Sequence, residues 1–283
     1  MNKATSDLAA IDEMHAVVDS HVRSHRYATI LDVGAWFIPY PPATHVIDLM
    51  PWETRGGRLR LQREPGESFS RETWSQLDLC SSSLLFPFAD KSFDFVMCSG
   101  TIEDLPDPLP CIREMQRVAH AGYIRVPSMA CEVTIGVNGR ATQEIGYSHH
   151  HWICRSHDRR MLVMMAKRDA CLSARYGRCI PLLGLERLAR ARSSDFDYNI
   201  HFFWDGTFQV DVLTGPQVDI AIATYLSSLG ITRTEHGKDA ILRRLRRIRD
   251  RLKNRLEPVD AATKWWREML QISRPYMRTE TPS

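Results

Sequence analysis

The chain reads as an α/β protein on a doubly wound, mostly parallel sheet, and three stretches of sequence predict this. Ile30-Leu31-Asp32-Val33 is an apolar run holding one acid that turns directly into Gly34; Val46-Ile47-Asp48 is a second run that closes on an acid; Phe93-Asp94-Phe95-Val96-Met97-Cys98 is a third. Short apolar runs of this kind are what strands buried on both faces look like. Acids and a glycine at their carboxyl ends mark the edge where such sheets hold a nucleotide-like ligand.

The elements follow in order. Asp7 to His25 places Leu8, Ile11, Met14, Val17, Val18 and Val22 at helical spacing, which predicts an amphipathic helix over the sheet edge or the mouth of the site. Strands are expected near Thr29–Val33, His45–Asp48, Ser75–Asp78, Phe93–Cys98 and Gly122–Val126, with a helix over Leu109–Val118 before the last of them. Met50 to Glu72 is polar, carries Gly56-Gly57 and Pro65-Gly66, and reads as a long loop. Trp152–Arg155 and Met161–Ala166, joined by a short charged turn, read as a hairpin. Further on, Pro181–Arg192 and Gln217–Leu229 read as helical and Thr207–Leu213 as extended.

The residue types at the strand ends have a chemical logic. Gly34 lets the backbone approach a ligand that a side chain would block. Asp48 suits both hydroxyls of a ribose, since an ionised carboxylate only accepts. Asp32 sits where it can fix the loop or reach the polar end of a cofactor through water.

The later segments are Gln76-Leu77-Asp78-Leu79, Phe86-Pro87-Phe88-Ala89-Asp90-Lys91-Ser92-Phe93-Asp94-Phe95-Val96, Glu103-Asp104-Leu105-Pro106 and Gly122-Tyr123-Ile124-Arg125-Val126-Pro127. With them, residues 27 to 167 resemble the class I S-adenosylmethionine-dependent methyltransferases, in particular the type 11 group. The resemblance implies a Rossmann-like seven-stranded sheet with one antiparallel strand, closed by the hairpin, and S-adenosylmethionine as cofactor. It implies that Asp32 and Gly34 form the first cofactor motif and that Asp48 is the ribose-binding acid. Asp78 with Leu79 would meet the adenine, and the strand end from Cys98 to Gly100 would lie beneath the methionine part. One position departs from the pattern: Trp36 stands where the group usually has a second glycine. A bulky indole there predicts a narrowed or altered cofactor loop, so the alternative to a methyltransferase is a repurposed, non-catalytic protein of the same fold that binds or scaffolds.

Composition bounds the rest. With 283 residues and 43% hydrophobic content, one sizeable core with additions is expected: an N-terminal helix over 1–26, a core over 27–167 and a mostly helical extension over 168–283. No apolar run is long enough to span a bilayer and the first residues lack the order of a signal peptide, so a soluble, cytoplasmic protein is expected. Seven cysteines without a C-x-x-C pair do not make a disulfide framework or a thiolate zinc site.

Methyl transfer asks the protein to align the acceptor and, for a hydroxyl or ammonium, to remove a proton. The candidates are His150 and His149 in Gly146-Tyr147-Ser148-His149-His150-His151-Trp152, with Glu103 behind them. Three readings of the histidines stand: a base or hydrogen-bond partner in the acceptor pocket, structural packing, and a metal site. The last is disfavoured, because neighbouring side chains on a strand alternate faces and cannot share one ion without an irregular backbone; no metal is expected. The similarity of this segment to one following the fifth strand in a type 11 subgroup favours the pocket. Glu103 and Asp104 have a plain alternative as acids capping a helix.

Lys238 to Arg255 carries Arg243, Arg244, Arg246, Arg247, Arg249 and Arg251 opposite an apolar face, in a chain whose net charge is only +3. A solvated helix is the plain reading; an anionic membrane surface or an acidic partner fits too, and nucleic acid fits less well. Trp265-Trp266 can anchor at a lipid interface or pack. The acceptor itself, a small molecule, sugar or lipid-linked glycan, is not encoded in the fold.

Overall fold

A computed structural model describes residues 3–36, 38–55, 66–81, 83–137, 144–175, 179–181, 184–185, 188 and 198–231. The described residues form two compact units, one running up to Ser99 and including Pro110–Tyr123, the other Gly100–Leu109 and the chain from Ile124 onward. The basic stretch 238–255 and Trp265-Trp266 lie outside the described residues, as does most of 181–192. No helix among the described residues is long and apolar enough to cross a membrane.

The first unit opens with α1 (Lys3–His25), longer than its predicted span. Met14, Val18 and Val22 recur every fourth residue and are buried, while Val17 reaches the surface; the buried stripe is therefore narrower than the sequence pattern. His21 of α1 packs beside Phe95, on which Tyr27 stacks. Then come β1 (Ile30–Val33), β2 (His45–Asp48), β3 (Trp74–Gln76), β4 (Phe93–Ser99), α2 (Leu109–Val118) and β5 (Ala119–Pro127). In this unit the sheet runs β5-β4-β1-β2-β3. β1 lies parallel between β4 and β2, with Asp32 opposite Met97 on one side and Val46 on the other. That central position accounts for its unbroken burial.

Two sequence features gain a structural cause here. Asp94 of the Ser-Phe-Asp run reaches back to the start of β1, where Oδ2 accepts the N–H groups of Ala28 and Thr29 and the hydroxyl of Thr29 at 2.8–2.9 Å. Those hydrogen bonds hold its carboxyl below the ordinary range. The Phe86–Asp90 loop is clamped by Arg117 of α2. Its guanidinium donates to the carbonyls of Phe86 (3.1 Å) and Phe88 (2.9 Å), to Asp90 (2.8 Å) and, by two bonds, to Glu114. Glu114 in turn accepts the Phe86 N–H at 2.6 Å.

The expected long loop begins with a single 3-10 turn, Trp52–Thr54, and ends with another, Arg71–Thr73. Arg55 and Glu67, paired at 2.6 Å and both buried, tie its two ends together. Trp52, Phe69 and Trp74 surround the guanidinium at 4.8–5.5 Å, so the loop carries a small core of its own.

The second unit contains the remainder of β5, flanked by β10 (Asn199–Asp205), then α3 (Met129–Glu132), β6 (Thr134–Ile135), β7 (Trp152–His157), β8 (Met161–Ala166), α4 (Lys167–Arg175), β9 (Ile180–Pro181), β11 (Gln209–Leu213) and α5 (Pro216–Ser228). The hairpin β7–β8 forms as expected, antiparallel from Trp152 opposite Ala166 to His157 opposite Met161. It does not close the main sheet. β11 pairs with β8 in parallel and makes a separate three-stranded sheet, while β10 takes the edge beside β5. The main sheet thus has six strands among the described residues, against the seven expected. Sequence analysis missed β10, α3, α4 and the two-residue pair β6–β9. The unit's core gathers Met129, Val133, Ile145, Ile153, Met165, Ile180, Val218 and Ile222.

The clamp carries a test of unit stability. Arg117→Ala removes the guanidinium donors from Glu114, Asp90 and the two carbonyls, and the expected loss is about 2–4 kcal/mol. Arg117→Lys recovers only part of it, because an ammonium lacks the planar fork. Urea unfolding of the three proteins, followed by circular dichroism, measures both.

Candidate functional site

Each unit carries one cluster of predicted site residues. In the first, β1 and β2 deliver Asp32 and Asp48 side by side, only 2% and 5% exposed. A carboxylate so placed needs donors, and the neighbouring loops supply them. Asp32 Oδ2 accepts the N–H of Tyr40 at 2.7 Å. Asp48 Oδ2 accepts the N–H of Trp36 at 2.8 Å and Oδ1 that of Met50 at 2.7 Å. Burial outweighs these bonds and raises Asp32 to about 7, with the Asp48 charge adding to the rise, and Asp48 to about 6.

Gly34 donates its N–H to the Ile47 carbonyl at 2.8 Å with φ at 73°, a left-handed turn that a side chain disfavours. The indole of Trp36 is fixed by its own N–H on the Thr54 hydroxyl at 3.0 Å, and that hydroxyl donates to the Pro51 carbonyl. The residue in the expected glycine position is therefore part of the loop's hydrogen bonding. β3 ends at Gln76, so Asp78 stands beyond the strand, where Oδ1 accepts the Cys80 N–H at 2.9 Å. Leu79 is buried, and so is Cys98 near the end of β4.

The second cluster is built from Glu103, Asp104, Glu132, His149, His150 and Lys167. Glu132, at the end of α3, is 1% exposed. Its Oε1 accepts the Nδ1–H of His150 at 2.6 Å, and its Oε2 accepts from Lys167 Nζ at 2.8 Å. Lys167 also donates to the Tyr147 carbonyl. Because a carboxylate only accepts, Nδ1 of His150 carries a proton, and Nε2 stands 3.7 Å from Asp104 Oδ1. Gly146 makes room for this arrangement. With φ at +56°, a Cβ there would stand 2.2 Å from Glu132 Oε2 and 2.8 Å from its main chain.

Glu103 lies deeper than its candidate role assumed, at 1% exposed. Oε2 has no hydrogen-bond partner among the described residues. Burial first, then the Asp104 and Glu132 charges, push its carboxyl well above the usual range. Its main-chain carbonyl, by contrast, accepts the N–H groups of His151 and Trp152. Residues 102–104 form a turn rather than a helix start, and Asp107 caps α2 instead, accepting the Leu109 N–H. Burial likewise raises Asp104 to about 6.

Asp104, His149 and His150 bring ligand atoms within 4.8 Å of one another. Residues 148–149 are a turn, so strand alternation does not separate these two histidines; His151 is not in the group. Glu132 and Lys167 were missed by sequence analysis. Their signal is a charge set in an apolar neighbourhood, Met129-Ala130-Cys131-Glu132 and Met164-Met165-Ala166-Lys167.

A parallel sheet with paired acids at successive strand ends defines the class as a doubly wound nucleotide-type fold. Residues 58–124 match the family described as a methyltransferase domain. The matched segment is about a quarter of the chain and holds Asp78, Leu79, Cys98 and Glu103. A comparison with curated proteins found no match.

Among solved structures, the chain is similar to a candidate methyltransferase of Bacillus halodurans C-125, with 20% identity, TM-score 0.29, and 44% of this chain and 52% of that one covered. It is similar to an S-adenosylmethionine-dependent methyltransferase of Mesorhizobium loti, with 18% identity, TM-score 0.27, and 38% and 50% covered. A methyltransferase of Aquifex aeolicus shows 23% identity, TM-score 0.24, and 36% and 57% covered. The chain thus spans about half the length of these solved proteins.

Asp32 and Asp48 ionise less readily folded than unfolded, so the folded chain holds more protons between about pH 4 and pH 7. The stability they contribute is full below about pH 4 and is lost as pH rises through 6 to 7. Asp32→Asn keeps an acceptor for Tyr40 and removes one of the two titrations. Its melting temperature should fall less steeply than the wild type's from pH 5 to 8, with a relative gain of roughly 1–3 kcal/mol at the upper end. Thermal melts across that range check this; parallel profiles would place the titration elsewhere.

Proposed function

We propose that the protein transfers a methyl group from S-adenosylmethionine to an oxygen or nitrogen of a small molecule, sugar or lipid-linked glycan. The observation that carries the reading is the buried Glu132–His150 pair at 2.6 Å, with Lys167 on the other oxygen of Glu132.

The residues of the first cluster suit the cofactor. Asp48 spends one lone pair of each oxygen on a loop N–H and keeps another for a hydroxyl donor. Gly34 presents backbone without a Cβ, and Asp78 with Leu79 offers a polar atom beside an apolar surface. When bound, S-adenosylmethionine supplies a methyl group on a sulfonium that needs no further activation by the protein. What remains for the chain is to orient the acceptor and take its proton. Nε2 of His150 accepts that proton, and the imidazolium so formed stays paired with Glu132 through Nδ1–H. Lys167 holds Glu132 in place and so positions the base without touching the acceptor. Glu103, whose carboxyl burial pushes well above the usual range, binds a proton more readily than an exposed acid does.

Trp36 supports a second reading, a non-catalytic binding protein on the same fold, because its N–H already engages the acid meant for the ribose. Calorimetry with S-adenosylmethionine and its demethylated product separates the two. Asp48→Ala should weaken cofactor binding about 10- to 100-fold, the loss of a charged acceptor worth roughly 1–3 kcal/mol. Trp36→Gly should leave affinity unchanged or lower; a large gain would favour the second reading. Absence of binding at millimolar cofactor overturns the first.

A panel of phenols, amines, sugars and glycans with a labelled methyl donor identifies the acceptor. On it, His150→Gln should lower turnover by roughly 100- to 10,000-fold at unchanged cofactor affinity.

A further inference from the structure

We propose that Asp104, His149 and His150 form a binding site for a divalent first-row cation of the zinc kind, with Glu132 as its outer carboxylate. Their ligand atoms lie within 4.8 Å of one another. His150 Nε2 and Asp104 Oδ1 stand 3.7 Å apart, too far for a hydrogen bond. Metal–ligand bonds of about 2.0–2.1 Å place two ligands of one ion about 3.3 Å apart in a tetrahedron and at most about 4.1 Å apart. The gap falls between these two limits.

Two independent features prepare the site. Asp104 Oδ1 is buried and has no hydrogen-bond partner among the described residues, although the carboxylate side chain as a whole is 38% exposed. A buried acceptor left in that state is costly, and a cation satisfies it. His150, for its part, already carries the support that ligating histidines use. Nδ1–H on a buried carboxylate fixes the tautomer and the ring, raises the basicity of Nε2, and aims it at Asp104. Lys167 anchors that carboxylate from behind.

The turn at 148–149 brings His149 to the same place, its ring 4.4 Å from that of His150. His149 is exposed, so the ion keeps a position open to solvent or a ligand, as zinc sites with three protein ligands do. One carboxylate and two imidazoles favour zinc over magnesium, which prefers oxygen ligands. The same Nε2 lone pair binds either a proton or the cation, so the loaded form is one in which His150 is not a base.

The test uses the full chain without methyl donor or acceptor, so its outcome is independent of the methyl-transfer reading. Titration with zinc chloride against a chromophoric chelator should show one equivalent bound, with magnesium chloride giving none. Asp104→Asn and His149→Ala should each weaken zinc binding at least about tenfold. Circular dichroism establishes that each variant is folded; His149 is exposed, so its substitution disturbs the core less than that of His150. Cobalt(II) in place of zinc should give visible ligand-field bands without a thiolate charge-transfer band. The proposal is overturned by absence of saturable zinc binding, by full affinity in folded His149→Ala, or by a thiolate band, which would put the ion on cysteines such as the exposed Cys80.

Discussion

Glu132 sets the terms for everything around it in the second unit. A carboxylate with almost no exposed surface is tolerable only if each oxygen is matched by a donor, and here one oxygen takes an imidazole N–H and the other an ammonium. That requirement fixes the tautomer of His150 and draws Lys167 inward. It also forbids a side chain at residue 146, since the chain returning past Glu132 runs too close to it. The hydrogen bonds from His151 and Trp152 to the Glu103 carbonyl then hold the start of β7 in register with this arrangement. The polar group is thus a positioning device: its value lies in aiming Nε2, and the chemistry of the aimed nitrogen follows from what reaches it.

The first unit solves the analogous problem with main chain. Asp32 and Asp48 are buried acids without a cationic partner among the described residues, and the loops after β1 and β2 bend so that Tyr40, Trp36 and Met50 present their N–H groups. The shape of the loop after β1 is therefore dictated by the two carboxylates as much as by Gly34. Trp36 fits this loop because its backbone does the work expected there while its ring is tethered away on Thr54.

What could be read from the sequence divides along the same line. β1, β2, β4 and α2 were legible because apolar runs, helical spacing and the acids at strand ends are local signals. The Ser-Phe-Asp and Pro-Phe segments were legible as a motif, yet their causes, Asp94 on Ala28 and Thr29 and Arg117 on the loop carbonyls, join residues far apart in the chain. The hairpin was found but its sheet was not, since pairing of β8 with β11 is a tertiary choice between edges that no local pattern encodes. His149, His150 and Glu103 were named from the sequence; Glu132 and Lys167 were not, because a lone charge in an apolar stretch does not announce its partner. The three consecutive histidines do not all converge: a turn over 148–149 brings His149 and His150 together, and His151 is not with them.

The parallel pairing of β11 with β8 bears on how the chain acquires its structure. Antiparallel β7 and β8 meet through a three-residue turn and can zip early, whereas Met161 waits for Gln209 across α4, β9 and β10. A partner so distant in sequence imposes a loop-closure cost before any contact rewards it. During synthesis the outer edge of β8 is exposed, an open row of amides and carbonyls on an apolar strand, until β11 has left the ribosome. The interval in which this unit is most prone to association with other chains is thus set by the length of one connection, and chaperone dependence should track that connection more than the chemistry of either cluster.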